Sequence, residues 1–121
     1  MKRVLIADDE PIERMIVTRT IQKYFPEELA VVSAVNGREA VEQFFAENCQ
    51  IALLDIEMPG MNGLEAAEQI RERDKNCSII FLTAFDEFNY AKRAIAVRAM
   101  EYLLKPVEDQ ELEAVLAEAI R

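Results

Sequence analysis

Five short apolar runs are spaced along the chain: Val4 to Ala7, Leu29 to Val32, Ile51 to Leu54, Ile79 to Leu82 and Tyr102 to Leu104. Each is continuous rather than alternating, the pattern of a strand buried on both faces of a parallel sheet. The segments between them carry helical spacing. Ala40, Val41, Phe44 and Phe45 share one face, and Leu64, Ala67 and Ile70 share another. Leu112, Val115, Leu116, Ala119 and Ile120 follow the i, i+3, i+4, i+7, i+8 spacing of an amphipathic helix. The first helix, from about Pro11 to Phe25, has a broader apolar arc. Pro11 suits its first turn, where the N–H that proline lacks would have no partner.

The pattern is strand then helix, five times over. Right-handed crossovers then place helices on both faces of a parallel sheet, an α/β doubly wound fold. No repeat, linker or low-complexity segment interrupts residues 1 to 121, so one domain is expected.

The residues that follow these runs are polar. Asp8 follows the first run, Asp55 the third, Thr83 the fourth and Lys105 the fifth; the second fades toward Val35 without obvious chemistry. In an open parallel sheet, ligands bind at the carboxyl ends of the strands, beside the point where strand order reverses. Each residue alone has an ordinary explanation. Asp8-Asp9-Glu10 before Pro11 suit a helix N-terminus, and Asp55 could be a turn acid before Pro59-Gly60 and Asn62-Gly63. Thr83 could cap the next segment, and Lys105 could be a surface lysine before a helix-breaking proline. Four polar residues at corresponding strand ends argue for one shared site.

Composition narrows the chemistry. Half the residues are apolar and glycine plus proline total seven, so a folded core is expected. The 14 basic and 23 acidic residues leave a net charge of −9, which disfavours nucleic acid or an anionic membrane as a direct partner. No apolar stretch approaches the roughly 20 residues of a membrane span, and the N-terminus lacks the pattern of a signal peptide. There is no histidine, and the two cysteines are Cys49 and Cys77. That excludes the usual zinc spacings and any histidine-based triad, and a cytoplasmic, reduced protein is expected.

Like charges packed at about 4 Å repel by roughly 4 kcal/mol at an effective dielectric near 20. Asp8, Asp9 and Asp55 therefore need a counter-charge, and hard oxygen ligands select Mg²⁺ over zinc. A carboxylate can attack phosphorus to form an acyl phosphate. Lys105 and the Thr83 hydroxyl would contact the phosphoryl oxygens.

At these residues the chain resembles the receiver domain of two-component response regulators, over essentially all of its length. The resemblance rests on Asp8-Asp9, on "LLDIEMPGMNG" around Asp55, on "FLTA" at Thr83 and on "YLLKP" at Lys105. It implies a flavodoxin-like (CheY-like) sheet of strand order 2-1-3-4-5 with five helices. It makes Asp55 the phosphoacceptor for a sensor histidine kinase, with Mg²⁺ held by Asp8, Asp9, Asp55 and the backbone carbonyl of Glu57. Thr83 and Lys105 would bind the phosphoryl group, with a cis Lys105-Pro106 bond. Tyr102 would be the aromatic switch coupled to Thr83, with Ala84 leaving it room to move inward. Glu57 and Phe85 occupy positions through which the family tunes phosphoryl lifetime.

The resemblance also implies a homodimer on activation, through the fourth helix, fifth strand and fifth helix. The run "TAFDEFNYAKRAI" is similar to receivers that precede an AraC-type helix-turn-helix output domain. The helical pattern is still running at Arg121, so the segment is expected to be the N-terminal part of a longer regulator. DNA would be bound only through an output domain absent from this chain, to control transcription.

Two rival classes stand beside this reading. A metal-dependent phosphohydrolase could use Asp55 and Glu57 as nucleophile and acid, although such enzymes are usually longer; multiple turnover would distinguish it. An interaction module that no longer uses phosphate is opposed by the intact Asp8, Asp9, Asp55, Thr83 and Lys105. Cys49 and Cys77, each six residues before a site residue on neighbouring strands, are expected to be ordinary buried thiols. A redox role is the alternative.

Overall fold

Successive residues of the central strands point to opposite faces of one sheet, and both faces are covered. The computed structural model describes Met1 to Arg121. Its strands are β1 (Lys2–Ala7), β2 (Leu29–Ala34), β3 (Ile51–Asp55), β4 (Ser78–Thr83) and β5 (Glu101–Leu104). Its helices are α1 (Pro11–Tyr24), α2 (Gly37–Ala46), α3 (Gly63–Arg73), α4 (Phe88–Ala96) and α5 (Asp109–Ile120). All pairings are parallel, in the order β2-β1-β3-β4-β5. The order and the five helices match the sequence expectation.

The continuous apolar runs are divided between two cores. Leu5, Ala7, Ala52, Leu54, Ile79 and Phe81 pack against Phe44 of α2, Leu64 and Ile70 of α3 and Ala94 of α4. Val4, Ile6, Ile51, Leu53, Ile80 and Leu82 face the other way, onto Ile21 of α1 and Leu112 and Leu116 of α5. A strand apolar at every position is the pattern demanded by helices on both sides. Phe81 is fully buried, and truncating such a side chain to alanine costs about 3–5 kcal/mol.

The edges depart from the sequence pattern. Ser33 in β2 and Glu101 and Leu104 in β5 are exposed, because an edge strand lacks full cover. The strands also outrun the apolar runs; Lys2 and Arg3 pair with Leu29 and Ala30. Helix α1 stops at Tyr24, and Phe25 becomes its C-cap, its N–H still donating to Ile21 O. Part of the broad apolar arc of α1 is not core: Ile12, Met15 and Ile16 are exposed.

Buried Arg71 ties α3 to α4. Its Nε donates to Val97 O at 2.8 Å and its Nη1 to Cys77 O at 2.8 Å, while Nη2 donates to Arg98 O at 3.3 Å. Val97 caps the C-terminus of α4, where a cation meets the negative end of the helix dipole. These carbonyls compensate the desolvation of the guanidinium without any carboxylate. Cys77 and Cys49 both lie in the α2–α3–α4 core and both are free thiols. Burial pushes Cys49 up to about 11 and raises Cys77 as well. Both stay protonated at neutral pH, which makes them weak nucleophiles.

Candidate phosphoryl and metal site

Strand order reverses between β1 and β3, where Ala7, the last residue of β1, lies opposite Leu54, the last but one of β3. Asp8 and Asp55, one residue further along each strand, emerge side by side at this switch point. Thr83 pairs with Leu104, so Lys105 leaves β5 at the same edge. The chain between β3 and α3 then turns away sharply. Gly60 adopts φ +70, a conformation glycine tolerates without strain. Asn62 begins α3 with a capping box, its side chain accepting from Glu65 N while Glu65 accepts from Asn62 N. Gly63 follows because a Cβ there would overlap the Asp55 carbonyl oxygen.

Each predicted site residue can now be placed. Carboxylate oxygens of Asp8, Asp9 and Asp55 lie within 4.8 Å of one another. Asp8 and Asp55 are buried, at 4% and 5% exposure, whereas Asp9 is exposed. Three hard oxygen donors this close fit a small divalent cation such as Mg²⁺. The counter-charge already present is the Lys105 ammonium. Its Nζ is 3.0 Å from Asp8 Oδ2 and 3.5 Å from Asp55 Oδ1. The sequence argument offered the metal ion alone as the answer to carboxylate repulsion; the fold supplies a second answer from β5.

Asp8 is the better-served acid. Besides Lys105 it accepts from Glu10 N at 2.9 Å, and its own carbonyl accepts from Arg14 Nη1 at 2.6 Å. Asp55 is the stressed one. Burial, opposed by Lys105 and reinforced by Asp8 and Asp9, pushes its carboxyl up to about 6. For Lys105, burial pulls downward, but the hydrogen bond to Asp8 and the attraction of Asp55 and Asp8 prevail, leaving it above its ordinary value. The ammonium therefore stays charged at neutral pH.

Thr83 is fully buried, and its hydroxyl accepts from Phe85 N at 3.1 Å. It is engaged with its own turn. Tyr102 is half-buried and its hydroxyl donates to Phe85 O at 3.0 Å; both expected switch residues thus hold the same neighbour, Phe85. Glu57 is exposed and accepts from the Tyr90 hydroxyl. The Lys105-Pro106 bond is cis, as the motif implied.

A cavity of about 510 Å³ opens at Asp8, Asp55 and Lys105 and continues between α1 and α5 past Val17, Thr20 and Leu112. Sequence reasoning did not single out Arg14 or Tyr90. Arg14 had a usable signal, lying one turn into a helix that starts beside Asp8. Tyr90 had only its place in the run "TAFDEFNYAKRAI".

Comparison with known proteins finds the response regulator receiver domain family matching residues 4–117. The chain is 41% identical over 118 residues to the positive alginate biosynthesis regulatory protein of Pseudomonas aeruginosa, covering 98% of this chain and 47% of that protein. It is 34% identical over 120 residues to the transcriptional regulatory protein YesN of Bacillus subtilis, covering 99% of this chain and 33% of that one. The chain thus spans about half or less of these relatives. Among solved structures, the response regulator TrrA of Thermotoga maritima in complex with Mg²⁺-BeF superposes with a TM-score of 0.87. The two are 38% identical, over 98% of this chain and 99% of that one.

Proposed function

The chain belongs to the response regulator receiver family, and on that premise we propose that Asp55 accepts a phosphoryl group from a sensor histidine kinase. The observation that carries this reading is the junction of Asp8, Asp9 and Asp55 with the ammonium of Lys105. An Asp55 oxygen attacks phosphorus as the phosphorus–nitrogen bond of the donor phosphohistidine breaks, its electrons returning to the imidazole. The product is an acyl phosphate on Asp55, and attack by water later returns the carboxylate and inorganic phosphate.

The residues suit these steps. Asp55, raised to about 6, is ionised at neutral pH yet more basic than an ordinary aspartate, which strengthens it as a nucleophile. Lys105 is charged and close enough to exchange its Asp55 contact for a phosphoryl oxygen. Asp8, Asp9, Asp55 and the Glu57 carbonyl would hold Mg²⁺, whose charge neutralises phosphoryl oxygens in the transition state. The Thr83 hydroxyl would leave Phe85 N to meet the phosphoryl group, and Tyr102 would then follow inward. The reaction is performed on the chain itself, as a signal rather than a turnover.

Exposed apolar residues suggest where partners meet the domain. Ile12, Met15 and Ile16 are exposed on α1, with Ile16 lining the cavity, a surface for the kinase. Phe88 and Ile95 on α4 and Leu104 on β5 are also exposed, and support dimerisation through the α4–β5–α5 face on activation. Coverage of under half of each relative supports the reading of residues 1 to 121 as the receiver part of a longer regulator. An output domain, of AraC type by the resemblance, would then bind DNA in the cytoplasm and control transcription. No helix is long and apolar enough to cross a membrane.

The test is intact-mass spectrometry after incubation with Mg²⁺ and a small phosphodonor. One labile phosphoryl adduct, mapped to Asp55 and absent from Asp55→Asn, is expected. Equal labelling of both proteins would refute the assignment, and multiple turnover on a phosphate ester would favour a phosphohydrolase.

A further inference from the structure

Glu57 is one of six carboxylates lining the cavity, with Asp8, Glu10, Glu13, Asp55 and Asp109, and Lys105 lines it too. Lys105 is the only cation lining that cavity, and it is already paired with Asp8 and Asp55. The partner of Glu57 is instead neutral. The Tyr90 hydroxyl, on α4 and 33 residues further along the chain, donates to Glu57 Oε2. Beyond it on α4, Arg93 Nη2 pairs with Glu68 Oε1 of α3 at 3.0 Å. Arg71 clasps the C-terminal end of the same helix. Tyr90 is thus carried by a helix held to α3 at two further points.

We propose that Tyr90 is a positioning residue whose hydroxyl holds the Glu57 carboxylate to α4 and keeps that charge from folding over the entrance to Asp55. The proposal rests on the reading of Asp55 as phosphoacceptor and adds a residue that governs access to it. The reasoning is electrostatic. A carboxylate released from Tyr90 is free to turn into the cavity, where Lys105 is the only cation among the lining residues. It would then stand where an anionic phosphodonor must arrive, repelling the donor and competing for the ammonium.

The experiment measures the initial rate at which Asp55 is labelled by phosphoramidate with Mg²⁺. It compares wild type, Tyr90→Phe, Glu57→Gln and the double variant. Tyr90→Phe is expected to label about three- to ten-fold more slowly, the effect of one like charge at a solvent-screened entrance. The gap should narrow as salt rises. In the Glu57→Gln background, where no charge remains to be restrained, adding Tyr90→Phe should change the rate by less than about two-fold. Equal rates in wild type and Tyr90→Phe overturn the proposal. So does a slowing of the same size in the Glu57→Gln background, which assigns Tyr90 to the packing of α4. A wild type that takes no label refutes the phosphoacceptor reading, and this proposal with it. A labelled wild type with an unaffected Tyr90→Phe refutes this proposal alone.

Discussion

Lys105 and Asp8 lie 97 residues apart in the chain and meet as an ion pair, Nζ to Oδ2 at 3.0 Å. One follows β5 and the other follows β1, with β3 and β4 between them in the sheet. The contact spans the site, and it decides which acid is satisfied. Asp8 has its partner; Asp55, at 3.5 Å from the same ammonium, has a weaker one. The strain of the gathered carboxylates therefore falls mainly on the proposed phosphoacceptor.

Neutralising Asp55 should stabilise the metal-free protein. The folded carboxyl is raised from 3.8 to about 6, so between those values the folded state holds its proton more tightly than the unfolded chain. Stability from this group is then lost as pH rises through that window, and stays lost above it. Asp55→Asn in EDTA should be more stable than wild type at pH 7.5 by about 1–3 kcal/mol. The advantage should vanish by about pH 4. Asp9→Asn should stabilise less, because Asp9 is exposed and solvent screens its repulsion. Urea titrations across pH check both, and a destabilised Asp55→Asn at pH 7.5 would overturn the argument.

Removing the ammonium should act in the opposite direction. Lys105→Ala leaves Asp8 and Asp55 facing each other without a cation, and should destabilise the metal-free protein by about 2 kcal/mol or more at neutral pH. Lysine is not a metal ligand, and an ammonium held against Asp8 and Asp55 would compete with a bound cation for the same oxygens. Calorimetric titration should find Mg²⁺ bound at least as tightly as in wild type, with a larger rise in melting temperature on adding it. A tenfold weaker Mg²⁺ affinity would contradict the competition.

Thr83→Ala should separate chemistry from signal. The buried hydroxyl accepts from Phe85 N, and Tyr102 donates to Phe85 O, so a phosphoryl group that drew the hydroxyl away would reorganise a shared contact. A phosphoryl group shifts this equilibrium only by its differential affinity for the two arrangements. Asp55 should still be labelled in Thr83→Ala, while sedimentation with BeF₃⁻ shows weaker dimerisation than in wild type. An activated wild type that stays monomeric at high concentration would remove the dimer; a variant that dimerises equally well would remove the hydroxyl.

Two glycines between β3 and the first turn of α3 should respond differently to alanine. At Gly63 the new methyl would overlap the Asp55 carbonyl oxygen and press on Ile56, backbone that cannot yield cheaply. A loss of about 3 kcal/mol is expected, of the size overpacking produces. At Gly60, φ +70 is left-handed but nothing lies near the new atom, so about 1–2 kcal/mol is expected. Thermal denaturation of the two variants checks the order.

Much of the site was visible before the structure. The polar residues after the apolar runs, Asp8, Asp55, Thr83 and Lys105, do converge on one edge, because parallel strands all end on the same side. The turn residues behaved as their chemistry requires: Gly60 takes the positive φ and Asn62 caps α3. The apolar arc of α1 was less informative. Hydrophobicity marked Ile12, Met15 and Ile16 as it marked Ile21, yet only Ile21 of the four is buried.

The sequence by itself determined the order of elements, the two-sided burial of the central strands and the set of residues at the strand ends. These are consequences of composition and period along a single strand or helix, where each residue's neighbours are known from its number. Tertiary structure decided which of those residues touch. Lys105 on Asp8, Tyr90 on Glu57 and Arg71 on the carbonyl of Val97 join segments that the crossovers bring together from distant parts of the chain. Such contacts depend on side-chain reach and on competition among several possible partners, and no periodicity encodes them. The same is true of Asp55, whose carboxyl is raised by burial and by Asp8 and Asp9 against the pull of Lys105, a balance that only the folded sheet assembles.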